Sequence, residues 1–125
     1  MKRLAVILII LLFALPAWAG HRHLEKEYQA KWCSACGGNL EVYLIDGRRV
    51  DCLTDKWAIE FDFGFKLFES LGQALHYADM TGKGPGIVLI LENEKDWKAL
   101  DDLIPLALKH RVSVWTMTPE DLECK

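Results

Sequence analysis

The hydrophobic and polar positions along the chain follow two spacings, one typical of helices and one typical of strands. Apolar residues that recur every three or four positions predict helices, whereas alternation or a short apolar run predicts strands. On this basis the chain predicts a helix over 24–35, strands over 40–45, 49–53 and 57–63, a helix over 66–80, a strand over 87–91, a helix over 94–110 and a strand over 112–117. This order predicts a single α/β domain.

Two of these elements carry more detailed expectations. Residues 87–91 are apolar without interruption, which is typical of a central strand that is covered on both faces of its sheet. Pro105 falls inside the last predicted helix and should kink or split it, because proline lacks the backbone N–H that an inner helical turn requires. The glycines between 82 and 86 are expected to form a loop.

The first 19 residues have the pattern of a secretory signal peptide. Lys2 and Arg3 precede an apolar run over 4–15, Pro16 ends this run, and residues 17–19 read Ala-Trp-Ala, a sequence that signal peptidase accepts. We expect cleavage after residue 19, which leaves 20–125 as one domain with no stable membrane anchor, in the bacterial periplasm or outside the cell. The alternative is a retained N-terminal anchor, for which the apolar run is short.

Composition and charge exclude several classes of protein. The chain has 125 residues, 51% of them hydrophobic and 26% charged, which excludes a disordered or collagen-like protein. The formal net charge of −3 becomes more negative once Lys2 and Arg3 are removed. We therefore expect no tight, nonspecific binding to DNA, which depends on a positive protein surface.

The four cysteines predict disulfide bonds. Cys33, Cys36, Cys52 and Cys124 all lie after the signal segment, and an even number of cysteines in a small exported domain is typical of structural bridges. Three pairings are open, of which we favour Cys33–Cys52 with Cys36–Cys124.

Three acidic side chains are predicted to meet on one face of a hairpin. If Asp55 and Lys56 form a tight turn, Asp51 lies directly opposite Glu60, and Asp62 lies on the same face two residues further on. Carboxylates that oppose each other in this way repel, so they usually have a cation between them. Three of them suit a hard divalent metal such as Mg²⁺. The alternative is a solvated face on which the acids repel each other little.

The helix that follows carries a polar stripe on one of its faces. Lys66, Ser70, Gln73 and Tyr77 lie at i, i+4, i+7 and i+11, so their side chains share one side of the helix. A cation, an amide and a phenol in this position could hold a phosphate and orient a water molecule. Such stripes are more often ordinary wet helix faces.

These residues together resemble a known group of enzymes. Asp51 on one strand, Glu60-Phe61-Asp62 on the next, and Gln73-Ala74-Leu75-His76-Tyr77 on the following helix are similar to the motifs of the PD-(D/E)XK nuclease superfamily, in particular its RecB-like branch with a QxxxY motif. The resemblance also extends to small uncharacterised exported bacterial proteins with the restriction endonuclease-like core. The resemblance implies the restriction endonuclease-like core, which consists of a helix, three strands, a helix and a strand. In this chain a C-terminal helix and strand would follow the core, and disulfides would cross-link it.

The resemblance implies hydrolysis of phosphodiester bonds, with nucleic acid as the substrate and Mg²⁺ or Mn²⁺ as the cofactor. Asp51 and Glu60, together with the Phe61 carbonyl, would hold the metal, which lowers the pKa of a bound water. Gln73 and Tyr77 would orient the substrate strand.

The motif departs from the superfamily at one catalytic position. The lysine expected two residues after Glu60 is replaced by Asp62, which would join the metal-binding acids. Lys66, at the start of the helix, could supply the missing cation. Glu27 on the first helix is the candidate for a further metal-binding acid that this family often has.

Two other functions remain open. The same fold could serve as a catalytically inactive binding or scaffold domain in the cell envelope. Trp32-Cys33-Ser34-Ala35-Cys36 also resembles the motif of thioredoxin-like proteins, which suggests a thiol–disulfide oxidoreductase that uses Cys33 and Cys36. In that family the motif opens a helix, whereas here it closes one, so structural bridges are the preferred interpretation.

Overall fold

The structure, a computed structural model, describes residues 20–123. It contains helices and strands in the order α1 (Glu25–Ala35), β1 (Asn39–Tyr43), β2 (Arg49–Leu53), β3 (Trp57–Asp62), α2 (Leu67–Thr81), β4 (Gly84–Ile90), α3 (Glu94–His110), β5 (Ser113–Met117) and α4 (Pro119–Glu123). The predicted signal segment and Cys124 lie outside the described residues. Cleavage after residue 19 and the Cys36–Cys124 bridge therefore stay predictions.

The five strands form one mixed sheet in the order β1-β2-β3-β4-β5. The first three strands pair antiparallel through short connections, whereas β3, β4 and β5 are parallel and are joined by α2 and α3. The predicted order of helices and strands is thus confirmed, and the fold is mixed α/β. The short helix α4 was not predicted, because five residues are too few to show helical periodicity.

Helices cover both faces of the sheet. On one face, Tyr28 of α1 packs with Val88 and Ile90, and Leu122 of α4 joins the same cluster. On the other face, apolar residues of α2 and α3 pack against Ile87 and Leu89. The central strand β4 is therefore buried on both sides, as its apolar sequence predicts. Within the described residues, no helix is long and apolar enough to cross a bilayer.

Strand β4 and helix α3 differ from the more detailed sequence expectations. Strand β4 starts at Gly84 and so includes Gly84 and Gly86, whereas Gly82 ends α2. Pro85 is tolerated there because β5 pairs with β4 only from Gly86 onward, so Pro85 has a neighbouring strand on one side alone. Helix α3 continues through Pro105 and is not split, since Leu103 and Ala107 on either side hold it against the core.

A disulfide ties the first helix to the hairpin. Cys33 of α1 and Cys52 of β2 are bonded, with their Cα atoms 5.8 Å apart and both side chains fully buried. This confirms the first of the two favoured bridges. Gly38 lies against the bridge, because a Cβ atom at this position would be 2.6 Å from Sγ of Cys52 and 2.8 Å from Sγ of Cys33.

We predict opposite effects for the same substitution at two glycines. Gly38→Ala should lower the free energy of unfolding by about 1–3 kcal/mol, because the methyl group overlaps the disulfide. Gly72→Ala should raise it by up to about 1 kcal/mol, because Gly72 is exposed inside α2 and a Cβ there meets nothing within 4 Å. Urea unfolding of the oxidised proteins would measure both values, and equal effects would contradict the close contact at Gly38.

Candidate functional site

The β2–β3 hairpin has the register that places Asp51 across from Glu60. Cys52 pairs with Ile59 and Leu53 pairs with Ala58, as a tight turn at 55–56 requires. Beyond Cys52 the ladder changes, because the backbone N–H of Phe61 donates to Oδ2 of Asp51 at 2.9 Å. In a regular antiparallel ladder this N–H would bond to the other strand's backbone. The Asp51 carboxylate thus takes the place of a backbone acceptor between the two strands.

The backbone around Asp51 departs from regular strand geometry. Val50 and Leu53 contribute to the same small cluster, although residues three apart in a regular strand point to opposite faces. Glu41, which the β1–β2 register places opposite Asp51, has a φ of 53°, a value that non-glycine residues rarely adopt. Backbone strain of this kind is concentrated at functional sites, so it singles out this part of the sheet.

The opening beside Asp51 is a cleft of about 450 Å³. Asp51, Glu60 and Asp62 line it and are 8%, 6% and 3% exposed. The remaining lining residues come from α1, the strands β1 to β3 and the first half of α2, and include Glu25, Tyr43, Arg49, Phe65, Lys66, Glu69, Ser70 and Gln73. The structure therefore brings together the three predicted acids, Lys66 and Gln73.

Glu60 is the most perturbed group of the cleft. Burial, followed by the charge of Asp51, raises its pKa to about 9, so it is protonated at neutral pH. Burial also raises the pKa of Asp51, and the two carboxyl groups lie close enough to share a hydrogen bond. Oε1 of Glu60 is buried and has no hydrogen-bond partner among the described residues. Such an atom is rare in folded proteins and is a natural position for a ligand.

Glu25 of α1 is a fourth acid at this site. Burial and the charges of Asp51 and Asp62 raise its pKa to about 7, while a hydrogen bond from Nε2 of Gln29 at 3.0 Å acts in the opposite direction. Lys66 also lowers this pKa, which places the ammonium group within electrostatic reach of the acids.

Glu27, the acid of α1 that the sequence suggested, lies elsewhere. Its carboxylate accepts the backbone N–H of Leu24 at 2.6 Å and caps the start of α1. The spacing along α1 is the sequence signal that distinguishes the two acids. Glu25 lies three residues before the buried Tyr28 and so shares its face of the helix, whereas Glu27 is next to Tyr28 in the sequence and points elsewhere. Glu25 thus replaces Glu27 as the candidate acid of the first helix.

Asp62 serves the connection between β3 and α2. Its Oδ2 accepts the hydroxyl of Ser70 at 2.9 Å. Burial raises its pKa, while Ser70 and then the backbone amides that follow β3, those of Gly64 and Lys66 among them, lower it. Because these donors occupy the carboxylate, Asp62 is less available as a metal ligand than Glu60.

Tyr77 lies beneath the site and not at its surface. Its ring is buried with Val50 and Ala58, and it does not line the cleft. Burial, with the charges of Glu60 and Asp51 next, raises the pKa of its phenol. Tyr77 therefore packs against the strands that carry the acids, whereas Gln73, one turn earlier, lines the cleft.

The donors in the cleft suit a hard cation only in part. Carboxylate oxygens are the ligands that Mg²⁺ and Mn²⁺ prefer, and the unpartnered Oε1 of Glu60 is open to such an ion. Within residues 20–123, however, no group of three or more His, Cys, Asp or Glu side chains is arranged to hold a metal. A two-carboxylate site is still compatible with Mg²⁺, which usually keeps several water ligands.

We predict that Glu60 makes the metal-free protein less stable as the pH rises. Because the pKa of Glu60 is about 9 in the folded protein and 4.5 for a glutamate exposed to water, the folded state binds more protons between these pH values. The free energy of unfolding should therefore fall from pH 5 to pH 8. Glu60→Gln, which keeps the neutral shape, should be more stable than the wild type by about 1–3 kcal/mol at pH 8 and nearly equal at pH 4.5.

Urea unfolding in a chelator at both pH values would measure this effect. Asp101→Asn is the matched control, since Asp101 is exposed on α3 and should leave the pH dependence unchanged. A Glu60→Gln protein that is less stable than the wild type at pH 8 would contradict a protonated Glu60.

Comparison of the chain with protein-family models, with curated proteins and with solved structures finds no significant match in any of the three. The resemblance to the PD-(D/E)XK superfamily therefore rests on the residues of the hairpin and α2 alone, and the assignment stays a prediction. What the residues 20–123 do establish is a mixed α/β domain with a buried acidic cleft and a Cys33–Cys52 bridge.

Proposed function

We propose that the protein is an exported, metal-dependent hydrolase of phosphodiester bonds, a nuclease of the PD-(D/E)XK type. The observation that carries this proposal is the buried pair of Asp51 and Glu60 in an open cleft, with one carboxyl oxygen of Glu60 unpartnered. Lys66 and Gln73 line the same cleft. Acids whose pKa values are strongly raised, beside a cation and an amide, are typical of catalytic sites.

Asp51 and Glu60 are the residues that would hold Mg²⁺ or Mn²⁺, with Glu25 reaching the cleft from α1. When bound, the metal supplies Lewis acidity and a water of lowered pKa for attack on phosphorus. Glu60 must lose its proton to bind the metal, so metal binding would release a proton.

The remaining residues position the substrate. The N–H of Phe61 fixes the orientation of the Asp51 carboxylate. Asp62 holds the turn before α2, and this turn places Lys66 at the N-terminal cap of the helix, where its ammonium group can neutralise a phosphate. Gln73 can donate its amide to a substrate oxygen from the next turns of α2.

The disulfide supports an exported location. Bridges such as Cys33–Cys52 persist in oxidising compartments, which include the bacterial periplasm and the exterior of the cell. Together with the signal pattern of residues 1–19, this supports secretion into one of these compartments.

A catalytically inactive binding domain is the second candidate. It is favoured by the absence, within residues 20–123, of a preformed three-ligand metal group. A thiol–disulfide oxidoreductase has less support, because Cys33 is bonded to Cys52 and not to Cys36. The Cys33–Cys36 segment also ends α1, where the backbone N–H groups of a helix N-terminus are not available to stabilise a thiolate.

We predict that Mn²⁺ and Mg²⁺ stabilise the folded protein through the acid pair. At 100 times the dissociation constant, a metal that binds only the folded state should add about 2.7 kcal/mol. Asp51→Asn and Glu60→Gln should remove this shift, and Asp101→Asn should keep it. Thermal unfolding with and without metal would measure the effect, and unchanged melting of the wild type would favour the binding domain.

We predict metal-dependent cleavage of phosphodiesters with the same residue dependence. The protein would be incubated with single- and double-stranded DNA and RNA and with bis(p-nitrophenyl) phosphate, in Mn²⁺, Mg²⁺ or chelator. Asp51→Asn, Glu60→Gln and Lys66→Ala should each lower kcat/KM by about 100-fold or more, because the first two remove ligands of the metal and the third removes the cation that neutralises the phosphate. Asp101→Asn and Lys109→Ala are controls on α3, and activity that survives in Glu60→Gln would place the chemistry elsewhere.

A further inference from the structure

Two exposed aromatic side chains lie close to the acidic cleft. Phe65 lines the cleft and Phe68 follows in the first turn of α2, and they are 73% and 72% exposed. The ring of Phe65 lies roughly parallel to that of His21, with their centroids 6.4 Å apart, and His21 in turn stacks on Phe63 at 3.6 Å. The Phe65 ring is thus part of an aromatic row whose other members support it.

The turn before α2 places these rings at the surface. Gly64 has a φ of 97°, and a Cβ at this position would lie 2.7 Å from Cβ of Ala99 on α3. The chain can therefore turn sharply against α3 only with glycine here. As a result, Phe65 and Lys66 project from the surface beside the acids.

A second cavity, of about 440 Å³, lies beside the acidic cleft and is also lined by Phe65 and Lys66. Phe68 lines it from α2, and Lys95 and Lys98 line it from α3. Lys95 and Lys98 are three residues apart and so share one face of their helix. The linings of the two cavities share Phe65, Lys66 and Glu69, so the cavities are adjacent, and we refer to the pair as the groove.

The second cavity has a local charge opposite to that of the chain. Lys66, Lys95 and Lys98 line it against only Glu69 and Asp102, whereas the whole chain has a formal charge of −3. A ligand that extends from the acids along this groove thus meets cations beside exposed aromatic rings. Single-stranded nucleic acid has the matching chemistry, because its phosphates pair with lysine and its bases stack on aromatic side chains.

We infer that this groove binds single-stranded nucleic acid, with unpaired bases stacked on Phe65 and Phe68 and phosphates on Lys95 and Lys98. The inference rests on the proposed function, since it names the substrate class of the same site. A duplex keeps the faces of its bases inside its own stack and cannot use the two rings. It also has the higher charge density and is repelled more strongly by an acidic protein.

The test measures binding separately from chemistry. The full chain, expressed with its own N-terminal segment, is titrated in chelator against fluorescent single-stranded DNA, single-stranded RNA and a duplex of the same sequence. We expect both single strands to bind more tightly than the duplex. Phe65→Ala and Phe68→Ala should each weaken single-strand binding about tenfold or more. Trp97→Ala is the control, because Trp97 is a 54% exposed aromatic on α3 that lines neither cavity.

The salt dependence tests the lysines. For single strands the logarithm of the affinity falls with the logarithm of the salt concentration by about 0.7 for each neutralised phosphate. Lys95→Gln and Lys98→Gln should each reduce this slope by about 0.7, whereas Lys109→Gln should leave it unchanged. A general loss of structure would not reduce the salt slope in the Lys95 and Lys98 variants by one phosphate each and leave it unchanged in the Lys109 variant.

Several results would overturn the inference. These are equal affinity for duplex and single strand, unchanged affinity in both phenylalanine variants, or no binding of any oligonucleotide by the folded protein. The proposed function is judged separately, by hydrolysis of bis(p-nitrophenyl) phosphate by the wild type in Mn²⁺. Hydrolysis without single-strand binding would refute the inference alone, and binding without hydrolysis would refute the proposed chemistry alone.

Discussion

The burial of two carboxyl groups against each other, Asp51 and Glu60, is the constraint on which the rest of this site depends. Removing a carboxylate from water is costly, and placing a second one beside it adds repulsion. The protein meets this cost in two ways: Phe61 donates its N–H to Asp51, and Glu60 keeps its proton at neutral pH. Neither arrangement satisfies Oε1 of Glu60, and this unpartnered atom is the observation that supports the ligand in the proposed function.

The disulfide holds the elements that carry these acids. Cys52 follows Asp51 directly, and its bond to Cys33 fixes β2 to α1, the helix that also carries Glu25. The repulsion between Glu25 and the acids of the hairpin, Asp51 and Asp62, acts to separate α1 from the hairpin. A covalent bond between the same two elements opposes this separation, in addition to the burial of Cys33 and Cys52 in the core. A small domain can thus retain a destabilising cluster of acids.

The sequence predicted the relations that depend on local spacing. The position of one tight turn predicted the hairpin register and so the proximity of Asp51 to Glu60, and the order of the elements followed from periodicity. Glu27 and Tyr77 were misplaced because their positions depend on how α1 and α2 are rotated against the sheet, which is determined by tertiary packing. The positive φ of Glu41 has no local signal, since glutamate does not favour this conformation.

The groove beside the acids also explains how an acidic chain could bind a polyanion. Long-range electrostatics oppose such binding, so the affinity must come from short-range contacts that lie close together. Phe65 and Phe68 offer stacking that does not depend on net charge, and Lys95 and Lys98 act over distances shorter than the Debye length of about 8 Å at physiological salt. Because stacking requires unpaired bases, the negative charge and the exposed rings favour the same ligand in the inferred complex: the negative charge would repel duplexes, and the rings would retain single strands.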